Sequence, residues 1–333
     1  MICIRTASRL HFGLFALPSA HGSPWRNHEG QATLPRRHFG GIGLMIEEPG
    51  IDLTIEPART WSATGPLHQR ALLFAQQYCG SLRVTDCFHL RMISAAPEHI
   101  GLGTGTQLGL AVARGIAELT HQPARDATTL ARHVGRGLRS ALGVHGFAHG
   151  GFLVEGGKTK DAISPLLVRH DFPDDWQIVL ITPRNLQGTH GPREIEAFAH
   201  LTGQQRDDQM TETLTRLVLL NLLPALLERD LDTFGEALHD FNRRVGALFQ
   251  HAQGGLYAHP QIEHLVRGIR GAHVKGVGQT SWGPTVFAVV AASEAAGLCD
   301  WLVRTYDIRH GEIIVTRACN RSADVVCGEQ AQG

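Results

Sequence analysis

The sequence predicts an α+β protein of two domains, and three observations support this prediction. A chain of 333 residues is long enough for about two domains of ordinary size. Its first half opens on strand-like segments that lead into a glycine loop and helices, and its second half ends in a ββαβ order, which is typical of a ferredoxin-like domain. Charge and proline mix near residues 160–176, so we divide the chain into residues 1–170 and 171–333.

The composition is that of a folded globular protein and excludes two functional classes. The 31 Lys and Arg residues balance the 31 Asp and Glu residues, which excludes a protein that binds nucleic acid through bulk charge. The most hydrophobic stretch, Leu217–Leu227, is interrupted by Asn221 and Pro224 and is shorter than the roughly 20 residues that a membrane span needs. The six cysteines include no C-x-x-C pair, so we expect reduced thiols and a cytoplasmic protein.

Strands open the first half, because short apolar runs alternate there with Gly, Pro and Ser. The segment Ser19–Arg37 is polar, lacks periodicity and is long enough to suggest a functional or mobile loop. In chain order the predicted strands are Ile2–Ser8, Leu10–Ala16, Gly43–Glu47, Ile51–Glu56, Cys87–Ala95 and Phe152–Glu155, and the predicted helices are Pro66–Cys79, Asp126–Val134 and Gly135–Leu142.

Helices dominate the second half until its ββαβ end. A strand at Gln177–Thr182 precedes a short helix after Pro192, two long helices and one shorter helix. We predict these last three helices at Asp207–Glu228, Leu231–Phe249 and Gln261–Ile269, and the final four elements at Ala272–Gly276, Thr285–Ala291, Ser293–Arg304 and Glu312–Thr316.

A glycine loop lies between the strand Cys87–Ala95 and an apolar-periodic helix. Glycines leave backbone N–H groups unobstructed and a helix N-terminus favours negative charge, so this order is typical of a phosphate-binding loop. The loop lacks the lysine of a Walker A motif and the acidic residue that a dinucleotide fingerprint requires. A plain packing turn is the alternative. The candidate phosphate-binding residues are Gly101, Leu102, Gly103, Thr104, Gly105 and Thr106.

Three segments, in this order, resemble motifs of the GHMP kinase superfamily. Arg9–Leu14 together with Gly40–Gly43 is similar to its N-terminal strand motif, and Pro97–Gly105 is similar to its second motif, Pro-x-x-x-Gly-Leu-Gly-Ser-Ser. Gly276–Thr285 resembles its C-terminal glycine motif. The resemblance implies a two-domain GHMP-kinase-like fold, with the substrate cleft between an N-terminal α+β domain and a C-terminal ferredoxin-like domain.

Within this superfamily the chain more closely resembles the β-ribofuranosylaminobenzene 5′-phosphate synthases. The resemblance extends over nearly the whole chain and rests on SRLHFGLF, GLGTGTQLGLA, GRGLRSALGVHGFAHGGFLVEGG, DWQIVLITPRNLQGTHGPREIEAF and GQTSWGPTVFA. It implies decarboxylating transfer of ribose 5-phosphate from phosphoribosyl pyrophosphate to 4-aminobenzoate or 4-hydroxybenzoate, in tetrahydromethanopterin biosynthesis. It also implies Mg²⁺ shared with the pyrophosphate, and we expect a homodimer.

The N-terminal motif contributes two candidate catalytic residues. The resemblance implies that Arg9 and His11 line the cleft, where they would place a cation and a hydrogen-bond donor toward the substrates. Arg26, in the loop Ser19–Arg37, is a candidate substrate-binding residue because a guanidinium can hold a phosphate or carboxylate through two hydrogen bonds. The alternatives are an exposed Arg9 and a packed His11, and a solvated loop charge at Arg26.

Two later loops supply the remaining candidates. His190 and Glu194 are candidate catalytic residues and Arg193 is a candidate substrate-binding residue, since Gly188–Glu194 opens a helix after a strand. Arg193 and Glu194 are equally explained as ordinary first-turn helix residues. In the C-terminal glycine motif, hydroxyls and an indole offer polar contacts and a stacking surface for an aromatic ring. These candidate substrate-binding residues are Gln279, Thr280, Ser281 and Trp282.

Two other functions stay open. Many GHMP kinases carry a catalytic Asp before the Gly-Gly strand, but the corresponding segment Ser140–Phe147 contains no carboxylate. A small-molecule kinase would therefore need His145 or Glu155, and a catalytically silent binder of a phosphorylated metabolite is the second alternative. His145 and His149 have the spacing of helical zinc ligands, but the neighbouring glycines predict a poor helix, so we assign no protein metal ligands.

Overall fold

Two β-sheets and the helices packed on them make up the structure. This computed structural model describes residues 1–16, 25–26, 32–34, 37–123, 126–159, 162–184, 186, 188 and 209–327, with the backbone alone at 25–26, 32–34 and 251–252. Within these ranges one sheet has seven strands and the other four, and a two-stranded ribbon is formed by β2 (Trp25–Arg26) and β3 (Ala32–Leu34).

The seven-stranded sheet is built around two long antiparallel strands, β1 (Ile2–Ala16) and β4 (His38–Ala58). Each of them joins two of the short strands that the sequence predicts, because β-bulges absorb the interruptions between the apolar runs. The sheet forks at β4, whose first half pairs with β7 (Phe152–Lys158) and whose second half pairs with β6 (Cys87–Ser94). The other members are β5 (Ser62–Thr64), β8 (Leu166–His170) and β13 (Asp324–Cys327).

The last of these strands returns from the C-terminal end of the chain. β13 pairs with β1 in antiparallel register, so the end of the second half completes the sheet of the first half. The division at residues 1–170 and 171–333 stays a prediction.

Helices α1 (His68–Leu82), α2 (Thr104–Leu119) and α3 (Ala127–His133) pack on this sheet. α2 is apolar along its length, and Leu108, Val112 and Ile116 recur at intervals of four, which places them on one helix face. They share a buried core with Ile4 of β1 and Ile55 of β4. This packing fixes the position of the N-terminus of α2, where the glycine loop ends.

The predicted helix at Gly135–Leu142 is wrong. Helix α4 spans Leu142–His149 instead, and residues 135–141 form no regular element. Gly135 and Gly137 have φ angles of 64° and 80°, which a right-handed helix does not accommodate. The expectation that glycines would prevent a helix around His145 is also wrong, because α4 contains them.

The second sheet is antiparallel and has the strand order β10-β11-β9-β12, where β9 is Trp176–Ile181, β10 is Gly276–Gln279, β11 is Val286–Ala291 and β12 is Ile313–Thr316. Numbered by sequence within this sheet, the order is 2-3-1-4, as in a ferredoxin-like fold. Side chains alternate between its faces, since Ile178 and Leu180 join one core and Val179 and Ile181 join another.

Helices cover both faces of the second sheet. α8 (Pro260–Gly271) and α9 (Ala295–Tyr306) share one core with it, and α7 (Leu231–Gln253) contributes to the other. α7 also packs against β1, and so bridges the two sheets beside the cleft.

One helical stretch, Gln209–Glu228, is apolar and long enough to match the length of a membrane span, with a mean hydropathy of 1.3. It consists of α5 (Gln209–Leu217), a π-helical turn (Val218–Leu222) and α6 (Leu223–Glu228). Leu214, Leu222 and Leu226 of this stretch are buried in the core that also contains α7, whereas Leu219, Leu220 and Leu227 are exposed.

Candidate active site

The glycine loop and the C-terminal glycine motif meet at the start of α2. Gly103 caps the helix with a φ of 71°, and Gly101 has a φ of 91°; both angles favour glycine. The contact between the two loops is backbone to backbone, because a Cβ atom on Gly283 would overlap the carbonyl carbon of Ile100. Glycine at these positions therefore allows two loops from opposite halves of the chain to lie against each other.

Buried hydrogen bonds fasten these two loops to β1. The Thr280 hydroxyl accepts from the backbone N–H of His11 and donates to the carbonyl of Gly101, both at 3.0 Å. The backbone N–H of Ser281 donates to the carbonyl of His11 at 2.9 Å, and that of Arg9 donates to the carbonyl of Leu102 at 2.9 Å. Thr280 is fully buried, so these bonds act as one staple between the halves of the chain.

Two adjoining cavities open at this junction. The main cavity encloses about 310 Å³ and is lined by β1, the segment 135–140, the second half of α7, the loop that follows it and residues 279–282. The loop cavity, of about 380 Å³, is lined by the glycine loop 101–106 with Arg70, Glu98 and residues 281–283. The cavities share Thr106, Arg136, Arg139, Ser281 and Trp282, so they form one continuous cleft.

Four arginines converge on the glycine loop. The Arg9 Nε atom lies 3.1 Å from the position of a Cβ atom on Gly103, and an Arg70 Nη atom lies 2.5 Å from the equivalent position on Gly105. Arg136 and Arg139 line both cavities. Burial lowers the pKa of Arg136 to about 10, with repulsion from Arg70 as a second cause, and burial also lowers the pKa of Arg70.

The positive charge in the cleft exceeds the negative charge. Among the described residues that line the two cavities, Glu98 is the single carboxylate, and it forms an ion pair with Arg70. Desolvated, mutually repelling guanidinium groups are stabilised by a bound anion. A phosphate or pyrophosphate at the glycine loop would accept hydrogen bonds from the backbone N–H groups at the N-terminus of α2 as well as from these side chains.

The sequence analysis missed Arg70, Arg136 and Arg139. The signal for the last two is the run Gly135–Ser140, where Arg136 lies between two glycines and Arg139 follows, in a segment that also carries the family resemblance. The positive φ angles of Gly135 and Gly137 turn this segment out of any helix and along the cleft. Arg70 comes from the first turn of α1, and no sequence pattern links it to the glycine loop.

The structure brings Arg9 and His11 together in the main cavity. His11 is 8% exposed, and burial lowers its pKa well below 6.5, with the positive charge of Arg9 as a further cause. The imidazole is therefore neutral at neutral pH, so it offers one hydrogen-bond donor and one acceptor. A catalytic role for either side chain stays a prediction.

Within the glycine loop, the side chains of the candidate residues differ in whether they can contact a ligand in the cleft. The Leu102 side chain is buried in the core, and the Thr104 hydroxyl donates to the carbonyl of Pro97 at 2.9 Å. Thr106 lies on the boundary of the two cavities. Phosphate contacts at Gly101, Gly103 and Gly105 would therefore come from the backbone.

The C-terminal motif divides in the same way. The Gln279 side chain accepts from the N–H of Ala258 at 2.9 Å and donates to the carbonyl of Ser281 at 3.2 Å, and Thr280 is engaged in the staple described above. Ser281 and Trp282 lie on the boundary of the two cavities, and Trp282 meets Phe249 edge-to-face at 5.0 Å. Ser281 and Trp282 are thus better placed for substrate contact than Gln279 and Thr280.

Four candidate side chains lie outside the described residues: Arg26, His190, Arg193 and Glu194. Gly188, which precedes three of them, is described and donates from its backbone N–H to the carbonyl of His99 at 3.1 Å. His99 lines the loop cavity, so the chain enters this loop beside the cleft.

His145 and Glu155, considered above as helpers of a kinase, line neither cavity. The imidazole of His145 is buried and bonds the carbonyl of Ser164 at 2.7 Å. Glu155 is fully buried and accepts from the Ser140 hydroxyl at 2.5 Å and from the N–H of Ala141 at 2.7 Å. Burial raises the pKa of Glu155 to about 7.

No group of three or more His, Cys, Asp or Glu side chains that could hold a metal ion occurs in the described part of the chain. Glu98 is the carboxylate nearest the glycine loop there. These residues fit a Mg²⁺ ion held mainly by substrate oxygens, because Mg²⁺ binds readily through few protein ligands and several other oxygens.

Comparisons with known proteins identify relatives of this chain over nearly its whole length. Residues 222–300 match the family described as GHMP kinases C terminal. Over 98% of its length the chain is 33% identical to the beta-ribofuranosylphenol 5′-phosphate synthase of Archaeoglobus fulgidus and covers 99% of it. It is 30% identical to the synthase of the same name from Methanothermobacter thermautotrophicus, with 98% of both chains covered.

Solved structures with the same fold include two enzymes of distant sequence. The homoserine kinase from Cytophaga hutchinsonii superposes with a TM-score of 0.66 at 15% identity, covering 98% of this chain and 97% of that one. Mevalonate diphosphate decarboxylase from Staphylococcus aureus gives 0.65 at 13% identity, covering 98% of both. The predicted two-domain GHMP-kinase-like α+β fold is thus confirmed, and the chain belongs to the β-ribofuranosylphenol 5′-phosphate synthase family.

Proposed function

We propose that this protein transfers ribose 5-phosphate from phosphoribosyl pyrophosphate to the carboxylate-bearing carbon of a 4-substituted benzoate, with release of CO₂ and pyrophosphate. The observation that carries the proposal is the convergence of four arginines on the glycine loop, with Glu98 as the single described carboxylate among them. The name of the relatives favours 4-hydroxybenzoate as acceptor, and 4-aminobenzoate is the second candidate.

The proposed reaction breaks one bond to the sugar and forms another. The bond between ribose C1 and the pyrophosphate oxygen breaks, and its electron pair leaves with pyrophosphate. The ring carbon that bears the carboxylate attacks C1, and the electron pair of the C–CO₂ bond then restores aromaticity as CO₂ leaves. The balance requires no net proton transfer, so a main cavity with no carboxylate among its described lining residues suits this reaction.

Electrostatic stabilisation is the main contribution that such a reaction needs from the protein. Arg70, Arg136 and the N-terminus of α2 would bind the pyrophosphate and stabilise the charge that develops on it. Arg9, beside the neutral His11, is suited to orient the carboxylate of the acceptor. Mg²⁺, when bound, supplies further neutralisation of the pyrophosphate, and Glu98 is the described side chain that would help to hold it.

The wall formed by Phe249 and Trp282 supports the second half of the proposal. Aromatic side chains can pack against the benzoate ring and keep water from the cationic sugar, which would otherwise be hydrolysed. A kinase would need a group that removes a proton from an alcohol. No described carboxylate lines the main cavity and His11 is a weak base, so the residues present favour the synthase.

The test is release of labelled CO₂ from carboxyl-labelled 4-hydroxybenzoate and 4-aminobenzoate by the purified protein with Mg²⁺. We expect CO₂ with phosphoribosyl pyrophosphate and none with ATP in its place. ADP formation from ATP would support a kinase instead. Tight binding of phosphoribosyl pyrophosphate without turnover of either benzoate would support the silent binder.

A further inference from the structure

The main cavity has two chemically different ends. One end adjoins the glycine loop and carries Arg9, Arg136 and Arg139. The other end, which takes no part in the loop cavity, is formed by the last turns of α7 and the loop that follows, and it contains Phe249, Gln253, Leu256 and Tyr257. A benzoate whose carboxylate points to the arginines would direct its para substituent toward this second end.

Three amide side chains line the main cavity, and in two of them the side-chain oxygen accepts a hydrogen bond from the protein. Asn242 Oδ1 accepts from the backbone N–H of Gln279 at 3.0 Å, and its Nδ2 donates to two backbone carbonyls. Gln279 Oε1 accepts from the N–H of Ala258 at 2.9 Å. Both amides are therefore held by the protein and serve to fix the cavity wall.

Gln253 differs from these two. Its Nε2 donates to the carbonyls of Gly246 at 3.2 Å and Leu256 at 2.8 Å. Because both partners are carbonyl oxygens, the NH₂ group must face them, and this fixes which way the amide is turned. Oε1 then accepts no hydrogen bond from a described residue, and it is not sealed from solvent.

Tyr257 is the other polar side chain at this end, and it does not offer the same contact. Its hydroxyl is sealed from solvent, and burial raises its pKa to about 12. The charged groups that act on it, Arg243, Glu263 and Arg270, belong to α7 and α8 rather than to the cavity. Among the described side chains at this end, Gln253 Oε1 is therefore the acceptor that is exposed and has no donor.

We propose that Gln253 recognises the para substituent of the aromatic acceptor by accepting a hydrogen bond from it at Oε1. This inference rests on the proposed function. Attack by the carboxylate-bearing carbon places positive charge on the para hydroxyl or amine, whose proton becomes more acidic. A hydrogen bond to an amide oxygen strengthens as this charge develops, so Gln253 stabilises the transition state more than the bound substrate. An acceptor bound at this end would displace water from Oε1, and the lower local dielectric would strengthen the hydrogen bond.

Binding of two nearly isosteric ligands tests the inference without turnover. Isothermal titration calorimetry with 4-hydroxybenzoate and 4-fluorobenzoate, which lacks the donor hydrogen, should give about tenfold tighter binding of the hydroxyl compound by the wild type. In Gln253→Leu this ratio should fall to about one, since no acceptor is left. Gln250→Leu, an exposed position on the same helix, is the matched control and should keep the ratio.

A second variant controls for the loss, in Gln253→Leu, of the two hydrogen bonds that Gln253 donates to the backbone. Gln253→Lys can still donate to the carbonyls of Gly246 and Leu256 but has no acceptor, so it too should lose the preference for 4-hydroxybenzoate. A preference retained in both variants overturns the inference, and so does a wild type that binds the two benzoates equally. Wild-type release of CO₂ separates the two claims, because turnover by the wild type together with an unchanged ratio in both variants would contradict this inference and leave the proposed function standing.

Discussion

Two loops border the cleft, and their polar side chains differ in direction. Those of one loop form hydrogen bonds within the protein, and those of the other line the cavities. In residues 279–283, Gln279 and Thr280 direct their hydrogen bonds into the protein, where they join β1, the glycine loop and the loop after α7. In residues 135–140, Arg136 and Arg139 face both cavities. The first loop lies in a recognisable glycine motif, whereas the second lies outside the three motifs that mark the superfamily.

This difference separates the residues whose hydrogen bonds stabilise the walls of the cleft from those that give the cleft its positive charge. A motif marks where two halves of a chain meet, and its polar residues can be needed there to satisfy buried backbone groups. Charged residues that line a cleft carry a cost of desolvation instead, as the lowered pKa of Arg136 indicates. Substitutions in the first loop should therefore affect stability most, and substitutions in the second should affect activity most.

Removing a guanidinium from the second loop should have the largest effect. Arg136→Ala should lower kcat/KM for phosphoribosyl pyrophosphate about 1000-fold, or about 4 kcal/mol, because a positive charge opposite the leaving group is lost. The free energy of unfolding should change little, since loss of a desolvated charge repelled by Arg70 offsets loss of the contact between the Arg136 guanidinium and the Phe74 ring. Steady-state kinetics and urea denaturation measure the two effects.

Arg114→Ala is the control for this variant. Arg114 is partly buried on α2 and pairs with Glu118 one turn away, outside both cavities. It should leave kcat/KM unchanged. Near-normal activity of Arg136→Ala would remove the distinction between the two loops.

The buried carboxyl that supports the second loop should make stability depend on pH. The pKa of Glu155 is raised from 4.5 to about 7 in the folded protein, so the folded state holds its proton more firmly than the unfolded state does. This contribution is fully present below pH 4.5 and is lost as the pH rises through 7, by about 3 kcal/mol.

Glu155→Gln should lack this loss and keep an acceptor for the N–H of Ala141. The difference in free energy of unfolding between wild type and variant, measured by urea denaturation from pH 4.5 to 8.5, isolates this group from the titrating histidines. A difference that does not change with pH would show that Glu155 is not held protonated by its surroundings.

Thr280→Val tests the staple in the first loop. It should lower the free energy of unfolding by about 2 kcal/mol, because the N–H of His11 and the carbonyl of Gly101 lose a buried partner. Thr280→Ser keeps the hydroxyl and should recover most of the loss. Equal stability of the Val variant and the wild type, by urea denaturation, would mean that the bonds do not fasten the two halves.

Ser281→Gly should give the smallest effects. It should raise the free energy of unfolding and lower the activity. Ser281 has a φ of 53°, a left-handed conformation that costs a serine about 1 kcal/mol, so glycine should raise the free energy of unfolding by up to that amount. Loss of the hydroxyl at the cavity boundary should lower kcat/KM about tenfold.

Asp307→Gly, at the C-terminal cap of α9 with a φ of 49°, is the matched control. It should gain similar stability with no change in activity. If Ser281→Gly behaves in the same way as this control, Ser281 has no contact with substrate.

Local patterns were sufficient to predict most of the fold. Alternating apolar residues identify the strands, and β11 and β12 lie close to their predicted ranges because their pattern is short-range. The merging of apolar runs into β1 and β4 depends on bulges and on pairing across the sheet, which no local pattern contains. The error at Gly135–Leu142 has a different cause, since propensity does not reveal a positive φ.

The site was predictable where one segment carries it and not where several segments contribute. The glycine loop and Arg9 follow from motifs, but Arg70 reaches the loop from α1 only through the packing of α1 beside α2. The motif marked Thr280 as a candidate for substrate binding, without indicating that its hydroxyl bonds two backbone groups from distant parts of the chain.

The most direct measurement is the stoichiometry of products formed by the wild-type protein with phosphoribosyl pyrophosphate, Mg²⁺ and carboxyl-labelled 4-hydroxybenzoate. Labelled CO₂ and pyrophosphate are quantified in the same reaction, with 4-aminobenzoate tested in parallel. We predict one CO₂ and one pyrophosphate for each acceptor consumed. Pyrophosphate without CO₂, or neither product with either benzoate, would contradict the assignment of the arginine-lined cleft to decarboxylating ribosyl transfer.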